Sequence, residues 1–510
     1  MRSTLFATFL STTCLIGVPV FADVTPEEVW ENYQSMMTSM GMDITAEESR
    51  EGDTLVVRNM VYGMDIPNPT GPITSTSTVP EIRFQALSGG KVGIEYAAPI
   101  TSISRVPANP VLDMPGYETR VDMSFGGVTE VSGVKNDMRY TMDGSSMTMK
   151  SVPAMVEGVA LQPGVDMSIE GIVGSYTVLR DGDAMSSDMD FTAARMTYGF
   201  EPFETEGTTV EMATSATDLR GSGTMSFSGA KGADTFATII GESSMDIELS
   251  SGPSTAMIKV SGDEAGGDME LTSTSGTTTL NFTLGGGAAG YKINAKDMLV
   301  SVAGAQIPGQ QVQFGLGSMT TGVLFPLKAA DAPQAYELEI GLEELALPDL
   351  AWMIADPTNQ LPHDPATLKL HFAGTLTNKM DLFDLKALEN MGPNSPSPMA
   401  VNTVEIPEIF LSLAGATIAG TGAGKFLDKE PAVPGGMPPF AGTMSLNLKG
   451  VTDLINKLTA SGILPQDQSM MAQMMLGMFT LPGDQEGELV SDLEMTEDGA
   501  ILANGQPLPF

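Results

Sequence analysis

The chain has 510 residues and carries 63 Asp+Glu against 25 Lys+Arg, a formal charge of −38, although charged residues are only 17% of it. So few cations exclude non-specific nucleic-acid binding, which needs clustered Lys and Arg to displace counterions from phosphate, and docking on anionic headgroups through basic patches. A hydrophobic fraction of 42% excludes a disordered acidic tail, because such tails have too little apolar surface to offset chain entropy.

The first 22 residues read as a secretory leader. Arg2 supplies the positive start, Leu5 to Val20 an apolar run, and Val20-Phe21-Ala22 a small-x-small cleavage site before Asp23. The run is shorter than the ~20 residues of a spanning helix. Cys14 lies inside the leader behind Ser11, Thr12 and Thr13, which does not fit a lipidation site. Cleavage removes one cation and the only cysteine, so the mature charge is −39 (24 − 63) and no disulfide is available. No later segment offers 18 uninterrupted apolar residues, so no transmembrane span is expected in the mature chain. These features predict an exported, periplasmic protein, with association to the outer membrane left open.

A helix is expected next. Thr25-Pro26-Glu27-Glu28 has the form of a capping box with proline in the first turn. Val29, Trp30, Tyr33, Met36, Met37 and Met40 then fall on one helical face, and Gly41 is a stop. From about 53 to 325 the period changes to two, as in Val121-Asp122-Met123-Ser124-Phe125, Val165-Asp166-Met167-Ser168-Ile169 and Leu280-Asn281-Phe282-Thr283-Leu284. This alternation describes strands with one apolar and one solvated face. Asp143-Gly144, Asp181-Gly182 and Gly285-Gly286-Gly287 read as the turns between them. The first two of the quoted strands resemble each other, as do Gly223 to Phe227 and Gly442 to Leu446, but the spacings are irregular. That suits duplicated strand units in a growing sheet better than a fixed-period propeller.

The last third mixes strands at 336–340, 368–372, 408–414, 417–426 and 442–448 with a short helix at Asp349 to Ile354 and another ending over Ala387 to Met391. Loops are expected at 392–398 and 431–439, a helix pair at Val451 to Ala460 and Asp467 to Phe479, and a final hairpin around Asp498-Gly499. The expected fold is therefore mainly β with a minor α component. It is a long curved antiparallel sheet or sandwich with an N-terminal helix and a C-terminal helix pair. Its parts are the leader 1–22, a helix and repeated β units over 23–325, and a β domain with covering helices over 326–510.

Several features resemble an uncharacterised bacterial envelope family, domain of unknown function 2125. They are Asp23-Val24-Thr25-Pro26-Glu27-Glu28-Val29-Trp30, then Trp352, Asp356-Pro357 and Leu361-Pro362-His363-Asp364-Pro365-Ala366-Thr367-Leu368. Gly462-Ile463-Leu464-Pro465-Gln466-Asp467 and Ala503-Asn504-Gly505-Gln506-Pro507-Leu508 complete the set. The resemblance implies export and a β-rich fold and brings no catalytic residues. A looser likeness, of fold only, is to the long β-groove proteins of the Gram-negative envelope that handle lipids.

Motifs for chemistry are scarce. The mature chain has two histidines, His363 in a Pro-flanked loop and His371 in a strand, and no cysteine, so a Cys/His zinc site is excluded. Gly285 to Gly290 spells GxGxxG but runs into the strand Tyr291-Lys292-Ile293 instead of a helix. Gly420 to Lys425 lacks the P-loop's first glycine and its Ser/Thr. Asp181, Asp183, Asp188 and Asp190 form a weak calcium candidate against the simpler reading of a solvated acidic turn. The 37 methionines, among them Met123, Met167, Met225 and Met474, are expected in the core, where strand and helix patterns already place them. No cofactor and no catalytic residue is indicated. The expected role is that of a non-enzymatic envelope protein with an apolar groove for lipid. The alternatives are a structural or partner-binding β module and, third, a hydrolase using acidic residues.

Overall fold

The computed structural model describes residues 23–508 apart from 40, 67–70, 110–114, 157–158, 183, 206, 228–241, 263–266, 308–310, 383–396 and 429–437. The leader, Asp183, the helix end at Ala387 to Met391 and most of the loops at 392–398 and 431–439 lie outside these residues.

The N-terminal helix spans Pro26–Ser39. The capping box forms: the Thr25 N–H donates to Glu28 Oε2 (3.0 Å) and the Glu28 N–H donates to Thr25 Oγ1 (3.2 Å). Gly41, at φ 77°, ends the helix in the left-handed conformation expected of a stop.

The period-two region forms one sheet of 26 strands, and the strands described pair antiparallel. It starts at an edge strand, Asp43–Glu51, and ends at the two-residue strand Gln506–Pro507. Among the described residues these two edges do not pair with each other, so the sheet is open. The first edge is rich in charge and the last is short and contains proline, two devices that keep exposed edges from pairing with other chains.

Neighbouring strands are not all of one length. Ile73–Leu87 carries two short strands end to end, Lys91–Tyr96 and Ile100–Val106. These pair with Thr129–Val134 and Tyr117–Gly126, and both of those rest on the long strand Asp137–Val152. The same branched unit recurs downstream. Thr208–Phe227 carries Ser244–Ser251 and Ser254–Ser261, which pair with Thr277–Gly285 and Met269–Ser275, and both of these rest on Ala288–Gly304.

The breaks between short strands line up with bulges or left-handed residues in the long ones. Asn59, Gly144, Gly171, Asp218, Asp297 and Glu344 all have positive φ inside strands. Asn59 lies opposite Pro80, in the register between the pairs Arg58↔Glu81 and Met60↔Val79. Asp218 lies opposite Ala194, and Asp297 opposite Gly317. Gly171 approaches Ala194 so closely that a Cβ on it would sit 3.0 Å from the alanine Cβ. At Gly144, Gly171 and Glu344 the register slips by one residue, a bulge that bends the strand, whereas at Asn59, Asp218 and Asp297 the quoted pairing runs on and the left-handed residue alone turns the strand over. The result is a crease that divides the sheet lengthwise into two wings. Because each of these positions shifts the alternation by one, the apolar residues on both sides of the crease stay on the same face. In Thr54–Ile66 these are Leu55 and Val57 before Asn59, and Met60 and Tyr62 after it. The sequence reading of Asp143-Gly144 as a turn is therefore corrected. Gly144 at φ 70° is a bulge within one continuous strand. Glycine supplies positive φ equally well to a turn and to a bulge.

At the N-terminal end the creased face closes around the helix. Val29 and Trp30 share one buried cluster with Val57, Ile82, Phe84 and Val92 from one wing and Met60, Val79 and Ile100 from the other. Trp30 sits between Tyr33 and Phe84, both with ring centroids 5.8 Å away, and donates its indole N–H to Glu48 Oε1 (2.7 Å). Tyr140 stacks on Tyr176 at 4.6 Å and donates its hydroxyl to Asn32 Oδ1 at 3.0 Å. Burial pushes the hydroxyls of Tyr33, Tyr96, Tyr140 and Tyr176 up from their ordinary value.

Downstream the hydrogen bonding continues across position 326, with Ser318 to Leu324 paired to Glu337 to Glu343. The second wing ends with its strand at 311–317, beside the isolated bridge Gly315↔Ala346. One wing goes on alone through Ala366–Asn378, Met399–Leu413, Ala416–Phe426 and Phe440–Lys449 to the strand Glu488–Met495 and the hairpin around Asp498-Gly499. The short helix Asp349–Ala355 and the pair Val451–Ala460 and Gln466–Phe479 complete the described helices. Among the described residues no helix is long and apolar enough to cross a membrane.

Candidate functional site

Beyond the helix-filled end, the apolar face of the sheet is left partly exposed by the described residues. Cross-strand register aligns its side chains into rows. One row runs Ile247, Phe282, Tyr291, Val323, Leu338 and Phe372. A parallel row runs Leu249, Leu280, Ile293, Thr321, Ile340 and Leu370. On the other wing Ile258, Leu271 and Val302 form the corresponding row. In a filled sandwich such rows would be dry. Here none of these residues is buried, and Tyr291 and Leu338 are each 42% exposed.

The crease behaves differently. Ala193, Ala216 and Ala295 lie beside it on the same face and are only 3–5% exposed. Small residues at the crease with larger ones on either wing make the section a trough, floored within 244–326 by Ala295 and bounded by half-exposed apolar walls. Over 244–326 two walls are present across four strand layers, and one wall continues over 334–345 and 366–378. At ~4.8 Å per layer the two-walled section is about 15 Å from first to last layer.

Charge is confined to the outer face. The alternate positions there hold Asp246, Glu248, Lys259, Glu270, Lys292, Glu337, Glu339, Glu343 and Lys369. Several are paired across strands: Lys292 with Glu339, Lys369 with Glu343 at 2.8 Å, and His371 Nε2 with Glu337 Oε1 at 2.8 Å. A shallow outer hollow of about 200 Å³, lined by Asn281, Gly290, Lys292, Gly322, Glu337 and Glu339, includes the Lys292–Glu339 pair. The neighbouring ammonium of Lys369 holds the Glu343 carboxyl below its ordinary value.

The candidates from sequence are distributed as follows. Asp181, Asp188 and Asp190 are exposed on the outer face, and Asp183 lies outside the described residues. Asp181 pairs with Ala184 at a tight turn, so Asp188 lies four residues further along that strand, roughly 13 Å away at the rise of an extended chain. Among the described residues no group of three or more His, Cys, Asp or Glu could hold a metal ion. His363 stacks on Trp352 at 4.2 Å and lies 3.5 Å from Asp356, a buried carboxylate that accepts the Leu361 N–H at 2.6 Å. Burial works against that carboxylate, but hydrogen bonds from Leu361, Gln360, Thr358 and His363 outweigh it and leave it below its ordinary value. Both histidines are thus held in local structural contacts. Gly285 to Gly290 forms a hairpin turn between strands, and Gly420 to Lys425 lies within a strand.

One expectation is overturned. Met474 was placed in the core by helical facing, yet it is 62% exposed, and Met470, Met471, Met475 and Met478 are exposed with it. Helix Gln466–Phe479 is apolar on nearly every side. The side bearing Ser469, Ala472, Leu476 and Phe479 faces the protein, and its carboxyl end is pinned where the Phe479 carbonyl accepts from Ser491 Oγ (2.7 Å) and Asn504 Nδ2 (3.0 Å). The methionines occupy the opposite side. A pattern without a polar face cannot indicate which side is covered.

Comparison with protein-family models, with curated proteins and with solved structures finds no match.

Proposed function

We propose that this chain is an exported envelope protein that holds the acyl portion of a lipid in the trough between its two wings. One observation carries this reading. Over 244–326 the inner face presents apolar rows on both wings, continued by one wing to 378, that among the described residues are not buried by another element and whose alternate inward positions hold no charge. Exposed apolar surface of that extent marks a binding site in a soluble fold, because leaving it in water costs about 25 cal/mol per Å². Pre-formed concave apolar surface is what such ligands require. Export is inferred from the leader.

The test is native mass spectrometry of the protein purified from the periplasm, together with titration of a fluorescent fatty-acyl probe. A co-purified lipid, and probe binding that Val323→Glu abolishes without unfolding the protein, are expected. Absence of any apolar ligand and of probe binding would overturn the reading. The exposed methionine side of Gln466–Phe479 favours a second reading, a module that docks an apolar partner protein, since flexible thioethers suit adaptable interfaces. Under that reading Val323→Glu has no effect and Met474→Glu abolishes partner capture.

A further inference from the structure

Resting on the lipid reading above, the distribution of charge points to a ligand class: we infer that the trough takes lipids with zwitterionic or uncharged headgroups and discriminates against anionic ones. The inward positions of the strands at 244–304, 311–326, 334–345 and 366–378 carry no Lys, Arg, His, Asp or Glu. An anionic phosphate or carboxylate headgroup held inside would be desolvated without a partner, which costs several kcal/mol. The headgroup must therefore stay at the lip, in water. The surroundings of the lip are acidic. The chain carries −38; Lys259, Lys292 and Lys369 in this section are on the outer face, each beside a glutamate, and Lys296 beside the crease and Lys328 after the strand Gln311–Pro326 are its other exposed cations. An anionic headgroup at the lip meets a net negative field, whereas a zwitterion brings its own counter-charge.

The size of the trough fits the same ligand. Its two-walled part is about 15 Å long, from four layers at ~4.8 Å. A chain filling one leaflet spans about 15 Å, half of the ~30 Å hydrocarbon core. The trough thus covers an acyl chain and leaves the headgroup outside, so affinity comes from the chain, and the headgroup contributes only through long-range charge.

The experiment uses the mature chain with two probes that carry identical fluorescent acyl chains, one a phosphatidylcholine and one a phosphatidylglycerol. At about 10 mM salt, where the screening length is ~30 Å, the phosphatidylcholine probe should bind at least about fivefold more tightly, and the gap should close toward 1 M salt, where that length is ~3 Å. Leu338→Arg, which puts a cation at an exposed wall position, should selectively tighten the phosphatidylglycerol probe. Equal binding of both probes at low salt would overturn the charge discrimination and leave the lipid reading standing. Failure of both probes to bind would overturn the lipid reading itself.

Discussion

Phe84 and Phe282 are the same residue type on the same apolar face of one sheet, yet their surroundings are opposite. Phe84 is fully buried under the N-terminal helix, and Phe282 stands half-buried in the wall of the trough, with no described helix over it. The strands that carry them do not differ in pattern, since both alternate apolar with polar residues. What differs is whether an amphipathic helix fills the space between the wings. The N-terminal end is a core because Val29, Trp30 and Tyr33 enter it, and the middle is a trough because nothing in the described chain does. One architecture thus supplies a filled core and an open apolar surface, and the two can be separated by mutation.

Truncation gives the largest contrast. Phe84→Ala removes a ring packed on all sides and should cost about 3–5 kcal/mol. Phe282→Ala loses only part of its burial and leaves no enclosed cavity, so about 1 kcal/mol is expected. Urea unfolding of the two variants measures both. Equal losses would mean that the trough is filled, and the comparison would collapse. If the trough binds apolar ligand, Phe282→Ala should also weaken probe binding, whereas Phe84→Ala should not while the protein remains folded.

A smaller effect comes from the crease, which both regions share. Asp297 sits at φ 53° where Lys296↔Ser318 gives way to Met298↔Leu316. Asp tolerates that conformation, and a β-branched residue does not. Asp297→Val should therefore destabilise by about 1–2 kcal/mol, and Asp297→Gly should be neutral or slightly stabilising. Thermal unfolding distinguishes them. Matching values for the two variants would show that the position is not under conformational control. A crease that sharpens the trough predicts a further result: probe binding falls in Asp297→Val by more than its loss of folded protein explains.

Much of this was legible in the sequence. The capping box named Thr25 and Glu28, alternation placed Leu280, Phe282 and Leu284 on one face, and the Gly285 to Gly287 turn was read as it stands. The crease was not. Its signal is a one-residue slip of the apolar alternation at Gly, Asn or Asp, as at Ile169, Gly171 and Ile172, and a local reading takes that slip for a turn. The trough was out of reach for a different reason. Alternation reports which side of a strand is apolar and says nothing of what covers that side. The same limit misplaced Met474, whose helix is apolar on both its covered and its open side.

The smallest effect tests whether the two regions differ only inside. On the outer face of the filled end, hydrogen bonds from Arg83 and then Arg58 hold the Glu81 carboxyl below its ordinary 4.5. On the outer face of the trough Lys369 does the same for Glu343. A carboxylate depressed on folding adds stability that is present above its unfolded pKa and is lost as pH falls through the lower folded value. Glu81→Gln should thus cost on the order of 0.5 kcal/mol at pH 7, the size of an exposed ion pair, and less at pH 3. Glu343→Gln should show the same sign and the same decline in acid, and both losses should shrink in high salt. Denaturant midpoints at the two pH values measure this. If only Glu81→Gln lost its effect in acid, the outer faces would differ as well, and the contrast between core and trough could no longer be assigned to the helix alone.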